Sequence, residues 1–129
     1  MKQIISFILI LSLIFSCAPS VIVRTKSNMP AINKHADFIV FDENDQFETN
    51  AFAIGEIKIK DSGLAVNCSY ASVVALAKKR AIDMGANCLK IYEHKIPDIW
   101  STCHRIKARA YHIDAVTFEK LRRVGVEQK

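Results

Sequence analysis

Four cysteines and four histidines are the side chains of this 129-residue chain best suited to covalent or metal chemistry, and their spacing sorts them. Cys88, His94, Cys103 and His104 are soft donors of the kind zinc takes in tetrahedral sites. Cys103 and His104 are neighbours, however, and in an extended chain they point to opposite faces. No close Cys or His pair has the spacing of a zinc knuckle, so no metal or cofactor is expected. A nucleophilic site would need a thiolate, a histidine base and an orienting acid. Cys103 beside His104 meets that only in part, and a disulfide at Cys103 would remove the nucleophile, so the chain is not expected to be an enzyme. The run Asp42, Glu43, Asn44, Asp45 carries oxygen ligands at the alternate spacing of calcium loops. It lacks the glycine and the terminal glutamate of such a loop and reads as an acidic connection between strands.

Cys17 points to different chemistry. Lys2 is followed by an apolar stretch from Ile4 to Phe15, broken only by Ser6 and Ser12, which is a signal-peptide pattern. A membrane span needs about 20 apolar residues, and this stretch is shorter. Ile14, Phe15, Ser16 and Cys17 resemble a lipobox, whose cysteine is acylated after cleavage. Residues 1–16 are therefore expected to be a lipoprotein signal peptide, with palmitate-type lipid on Cys17 as the membrane anchor. Ala18, in place of Asp, fits outer-membrane sorting under the enterobacterial rule, with the body of the protein facing the periplasm.

Half of the residues are apolar, enough for one packed domain and incompatible with disorder throughout. Eighteen basic against thirteen acidic residues give a net charge of +5. In an exported chain that balance selects anionic lipid, glycan or acidic protein as partners, and nucleic acid is not expected.

These residues must be positioned by a small set of elements. Residues 17–36, with Pro19, Pro30 and scattered polar residues, read as the acylated cysteine and a tether, although Val21 to Val23 could form a first edge strand. Phe38 to Phe41 and Ala53 to Lys60 read as strands. Ser69 can cap a helix to about Met84, since Tyr70, Val73, Val74, Ala77, Ala81 and Met84 recur at spacings of three and four, and Gly85 ends it. Strands follow at about Cys88 to Glu93 and His104 to Ile113, with a short helix through Phe118 and Leu121 in the tail. The order ββαββ predicts a single α+β domain over 37–129, a mainly antiparallel four-stranded sheet with one main helix on one face.

That order decides the cysteine pairing. With Cys17 acylated, Cys68, Cys88 and Cys103 can form at most one internal bridge in an oxidising compartment. A helix of about 15 residues separates Cys68 from Cys88 by roughly 20 Å. The next strand runs back along the helix and delivers Cys103 beside Cys68, so Cys68–Cys103 is the expected disulfide. Cys88 is left as a buried thiol.

The lipobox, the tether, a cysteine just before a helix bearing Lys78, Lys79 and Arg80, and the run Gly85, Ala86, Asn87 opening a strand form one pattern. Cys103 before His104, Arg105 and Ile106 completes it. Together these features resemble the small outer-membrane lipoprotein family of the Rcs envelope-stress sensor, over about residues 53–113. The resemblance implies a small α+β domain held by disulfides that signals by contacting envelope proteins, without catalysis. The family's second disulfide has no counterpart here, because the last strand has no cysteine.

On the sheet face away from the helix, alternation collects Lys58, Lys60, Lys90, Arg105, Lys107 and Arg109, with Tyr92 and Tyr111 among them. Such a surface suits an anionic glycan or lipid or an acidic envelope protein. Trp100, after Pro97, reads either as a partner anchor or as a cap on the core beside the disulfide. The sequence thus predicts a non-catalytic envelope lipoprotein acting as an interaction or stress-sensing module. Its alternatives are a metal-binding or thiol-redox protein using Cys88, Cys103 and nearby histidines, and a structural envelope tether.

Overall fold

The computed structural model describes residues 19–27, 29–33, 36–63, 65 and 67–127, with side chains described as far as Gly125. Cys17, Ala18 and the segment 1–16 lie outside the described residues. Alternating apolar residues build β1 (Ser20–Thr25), β2 (Ile39–Phe41), β3 (Ala53–Lys60), β4 (Cys88–Lys95) and β5 (Arg105–Tyr111). Helix α1 (Tyr70–Asp83) joins β3 to β4, and α2 (Ala115–Glu127) ends the chain. The strands form one sheet in the order β1-β3-β5-β4-β2, antiparallel throughout except for the β2–β4 pair.

The α+β class and the helix between two pairs of strands agree with the sequence reading; the fifth strand is the difference. Part of the stretch expected to be tether is β1, paired with β3 from Ser20 opposite Lys60 to Thr25 opposite Gly55. Without it β3 would present an open edge of unpaired backbone groups, and Val21, Ile22 and Val23 have the branched side chains that suit a strand. The chain therefore enters the sheet at Ser20.

Helix α1 starts where Ser69 Oγ accepts the Ser72 amide at 3.2 Å. It buries Val73, Ala77, Ala81 and Ile82. Ala77 and Ala81 share one core with Ile57 and Ile59 of β3, Leu89 and Ile91 of β4, and Ala108 and Ala110 of β5. Small residues on both the helix and β5 let the helix backbone approach the sheet. The helix ends in a Schellman arrangement, with Gly85 N–H donating to Ile82 O at 3.0 Å and Ala86 N–H to Ala81 O at 2.9 Å. Gly85 has φ of 85°, and a Cβ there would lie 2.5 Å from Pro30 O, so both conformation and space require glycine.

A second, smaller core lies on the other face of the sheet, at the end where β4 begins. Phe41, Cys88, Tyr111, Ile113, Phe118 and Leu121 form it, and Phe47 packs with ring centroids 5.0 Å from both Phe41 and Tyr111. Helix α2 closes this end. Its first turn is capped by Asp114 Oδ1, which accepts from Val116 N at 3.1 Å and Thr117 N at 3.0 Å.

Cys68 and Cys103 are joined in a disulfide with Cα atoms 5.0 Å apart, tying the start of α1 to the start of β5. His104 N–H donates to Cys68 O at 3.1 Å beside it. Cys88 is a free thiol, fully buried in the second core, and burial pushes its pKa up to about 12. The bridge spans 35 residues, so replacing Cys68 and Cys103 together by serine is expected to cost about 4 kcal/mol in the chain-entropy picture. A urea titration should show that loss as a lower midpoint; an unchanged midpoint would mean that the bridge constrains nothing in the unfolded chain.

Candidate functional site

One irregularity in β4 decides what the sheet presents at its far end. Ile91 pairs with Ala108, but Glu93 pairs with Lys107 and His94 with Ile106, so β4 carries one residue more than β5 over this stretch. The bulge leaves Tyr92 and Glu93 both on the outer face and reverses the alternation beyond them. His94, which plain alternation from Lys90 and Tyr92 would put on the outer face, is instead on the helix side, its ring 4.4 Å from that of Tyr70 at the start of α1. Lys95 is correspondingly turned outward.

The eight residues expected to share the outer face divide by role. Tyr111 is buried in the second core and is not part of an open surface. Lys90 is structural as well. Its Nζ donates to the carbonyls of Asp42 at 2.5 Å, Asp45 at 2.7 Å and Glu43 at 3.1 Å. The acidic loop thus closes around an ammonium. Burial pulls the Lys90 pKa down, against the opposing pull of Asp45, Asp42 and Glu43. Tyr92 donates to Glu56 and lies under the Arg109 guanidinium, 4.8 Å from ring to Cζ. Lys107 pairs with Glu93 at 2.5 Å, and Arg105 with Asp98 at 2.5 Å. Lys58 and Lys60 have no ion-pair partner among the described residues. The charge of Lys60, followed by partial burial and Lys107, holds the Lys58 pKa below the usual lysine value.

These unpaired lysines border a cavity of about 440 Å³ at the end of the outer face. Lys58, Lys60, Lys95, Arg105 and Lys107 line it against only two carboxylates, Asp61 and Glu93, with Trp100 at its mouth. A second groove of about 300 Å³, between β1 and Tyr92, shares Lys58, Lys60 and Lys107 with it. The loop after β4 supplies the apolar side. Asp98 and Ser101 exchange backbone hydrogen bonds of 2.8 and 3.2 Å, and Asp98 Oδ1 accepts the Trp100 and Ser101 amides at 2.9 Å each. Ser101 Oγ reaches Asp61 at 2.6 Å, fastening the loop to the turn after β3. The backbone is pinned while Ile99 and Trp100 stand 91% and 89% exposed. Trp100 is therefore no cap on the core.

The thiol and imidazole groups do not converge. Cys103 is in the disulfide, and Cys88 lies on the other face of the sheet at the opposite end of β4 from His94. His94 Nε2 and His104 Nδ1 are 2.8 Å apart and share a hydrogen bond, their rings stacked at 5.1 Å beside Tyr70, whose hydroxyl donates to Asp42. Among the described residues no group of three or more His, Cys, Asp or Glu side chains is placed to hold a metal ion.

No family model, curated protein or solved structure matches the chain, so the resemblance to the Rcs sensor family rests on the quoted residues alone. Sequence reasoning found four of the five cations and Trp100 but missed Lys95, Asp61 and Glu93 at the groove. The signal for them was present: Glu93 stands where simple alternation assigns a core position, and a bulge is the inexpensive way to take it out.

Two outcomes are expected. Lys90→Met removes the donor to three carbonyls and should lower stability by about 1–3 kcal/mol, whereas Lys58→Met or Lys60→Met should stay within about 0.5 kcal/mol, read by denaturant titration. Burial, then the charge of His94, lowers the His104 pKa below its ordinary 6.5. The unfolded chain then binds the proton more readily than the folded one. Stability should be complete above the unfolded value and be lost as pH falls from about 7 toward 5. His104→Gln should flatten that part of a melting-temperature profile and leave the steeper acid limb, set by the lowered Asp61, Glu93 and Asp98 carboxyls.

Proposed function

We propose that this chain is an envelope lipoprotein, anchored through Cys17, whose α+β domain is a non-catalytic interaction module. It offers the cationic groove of its outer face to an anionic surface in the bacterial envelope. The observation that carries this reading is the pair Lys58 and Lys60, unpaired among the described residues, on a cavity with five cationic and two anionic side chains. An anion there would relieve repulsion that the fold leaves standing. The lipobox at residues 14–17 supports the anchor, and the outer membrane facing the periplasm is the location that Ala18 favours. Envelope-stress sensing is the role that the resemblance at Cys68, residues 85–87 and Cys103 adds.

The test combines palmitate labelling with a stress-response readout in cells. The intact chain should carry label, and Cys17→Ala should lose both label and membrane association. The Lys58→Glu, Lys60→Glu pair should keep the label while losing the stress response seen with the intact chain. An unlabelled intact chain would sink the anchor. A full response from the doubly reversed chain would sink the groove as the interacting surface.

A further inference from the structure

The end of the sheet that carries the groove is also the end where the chain enters it. Ser20, the first residue of β1, lies opposite Lys60, the last of β3. Lys60 and Asp61 line the groove with Trp100, and Ser101 bonds Asp61. Cys17 stands three residues before Ser20. A fully extended connection of that length spans at most about 10 Å. A bilayer holding lipid on Cys17 would therefore lie within about 10 Å of this end.

Three large apolar side chains are exposed there within five residues: Ile96 at 66%, Ile99 at 91% and Trp100 at 89%. Single exposed apolar residues are ordinary; this group sits on a pinned turn beside Lys58, Lys60 and Lys95. Indole prefers the boundary between headgroups and hydrocarbon, and lysines near a surface are drawn to anionic headgroups. We propose that the β4–β5 loop and the cationic groove together form a membrane-contact surface. Ile99 and Trp100 enter the interface while Lys58, Lys60 and Lys95 bind anionic lipid headgroups. The domain then stands on the bilayer by this end, with α2 and the second core at the far end from it. The inference deepens the reading above by naming anionic lipid as the partner, and it rests on that reading for the placement of the anchor.

Trp100 is the only tryptophan of the chain, so its fluorescence reports this loop alone. The full chain would be reconstituted into phosphatidylcholine vesicles with and without phosphatidylglycerol. In the anionic vesicles Trp100 emission should shift to the blue, be quenched by brominated acyl chains and be shielded from aqueous acrylamide. High salt should reverse the shift. The Lys58→Gln, Lys60→Gln pair should lower the ratio of inserted to free loop about thirty-fold, taking about 1 kcal/mol for each lysine. Ile99→Ser, at a side chain that is 91% exposed, should weaken insertion with the tryptophan retained. Trp100 equally open to acrylamide in both vesicles would overturn the inference and leave an acidic protein as the groove's partner. The mass of Cys17 in the same sample reads the anchor separately, so the two failures are distinguishable.

Discussion

One additional residue in β4, between Ile91 and His94, is the constraint on which this end of the domain depends. Continued without it, alternation would turn Lys95 toward the helix and leave its charge to be buried without compensation. With it, the His94 imidazole goes inward to pack at a tilt against Tyr70, and two charged side chains go outward. Beyond the bulge the strands stay paired as far as Lys95 and Arg105. That pairing holds the loop 96–104 at the end of the sheet where α1 starts, which is where Cys103 meets Cys68. The inward histidine pair and the outward turn of Glu93 and Lys95 at the groove are thus consequences of one change in register.

The outer face is divided between two kinds of work. At the β2 side and the start of β4, residues of one helix and one loop bury it, and Lys90 serves that packing by supplying donors to carbonyls that would otherwise converge on nothing. A calcium ion could fill such a position in a loop with more carboxylates and a glycine, but here the strand itself provides the cation. Toward the other end the face opens, and the same residue type at positions 58 and 60 has no ion-pair partner among the described residues. Identical side chains on one sheet face, Lys90 on β4 and Lys58 and Lys60 on β3, differ in role because the loop 42–52 reaches one of them and not the others.

Much of this was legible in the sequence. The period of α1, its serine cap and its glycine stop are local signals, and the structure repeats them nearly residue for residue. The Cys68–Cys103 pairing followed from element order alone, because helix length forbids the alternative to Cys88. What stayed open or escaped was set by pairing across distance. For β1 the prolines suggest a tether and Val21 to Val23 an edge strand, and the open edge of β3 decides for the strand. The bulge has no local code beyond the misplaced charge at Glu93. Tyr111 and Lys90 carry outward-facing labels by alternation, yet Phe47 and the acidic loop fold over them from 60-odd and 45-odd positions away in sequence, roughly the separations that no periodicity reaches.

The distribution of charge argues against a face whose only duty is solubility. Most cations of the outer surface have a nearby partner: Arg109 rests on Tyr92, Lys107 and Lys95 pair with Glu93, and Arg105 pairs with Asp98. Exposed pairs of this kind add little stability, so the fold gains little by forming them and loses little by omitting them. A purely solubilising surface would spread its unpaired charges evenly and keep large apolar groups apart. Instead the unpaired lysines and the exposed Ile99 and Trp100 gather at one end, around a turn held rigid by Asp98 and Ser101. A rigid apolar tip ringed by cations has lost its loop entropy before it meets anything. More of the contact energy therefore remains as affinity than a mobile loop would leave.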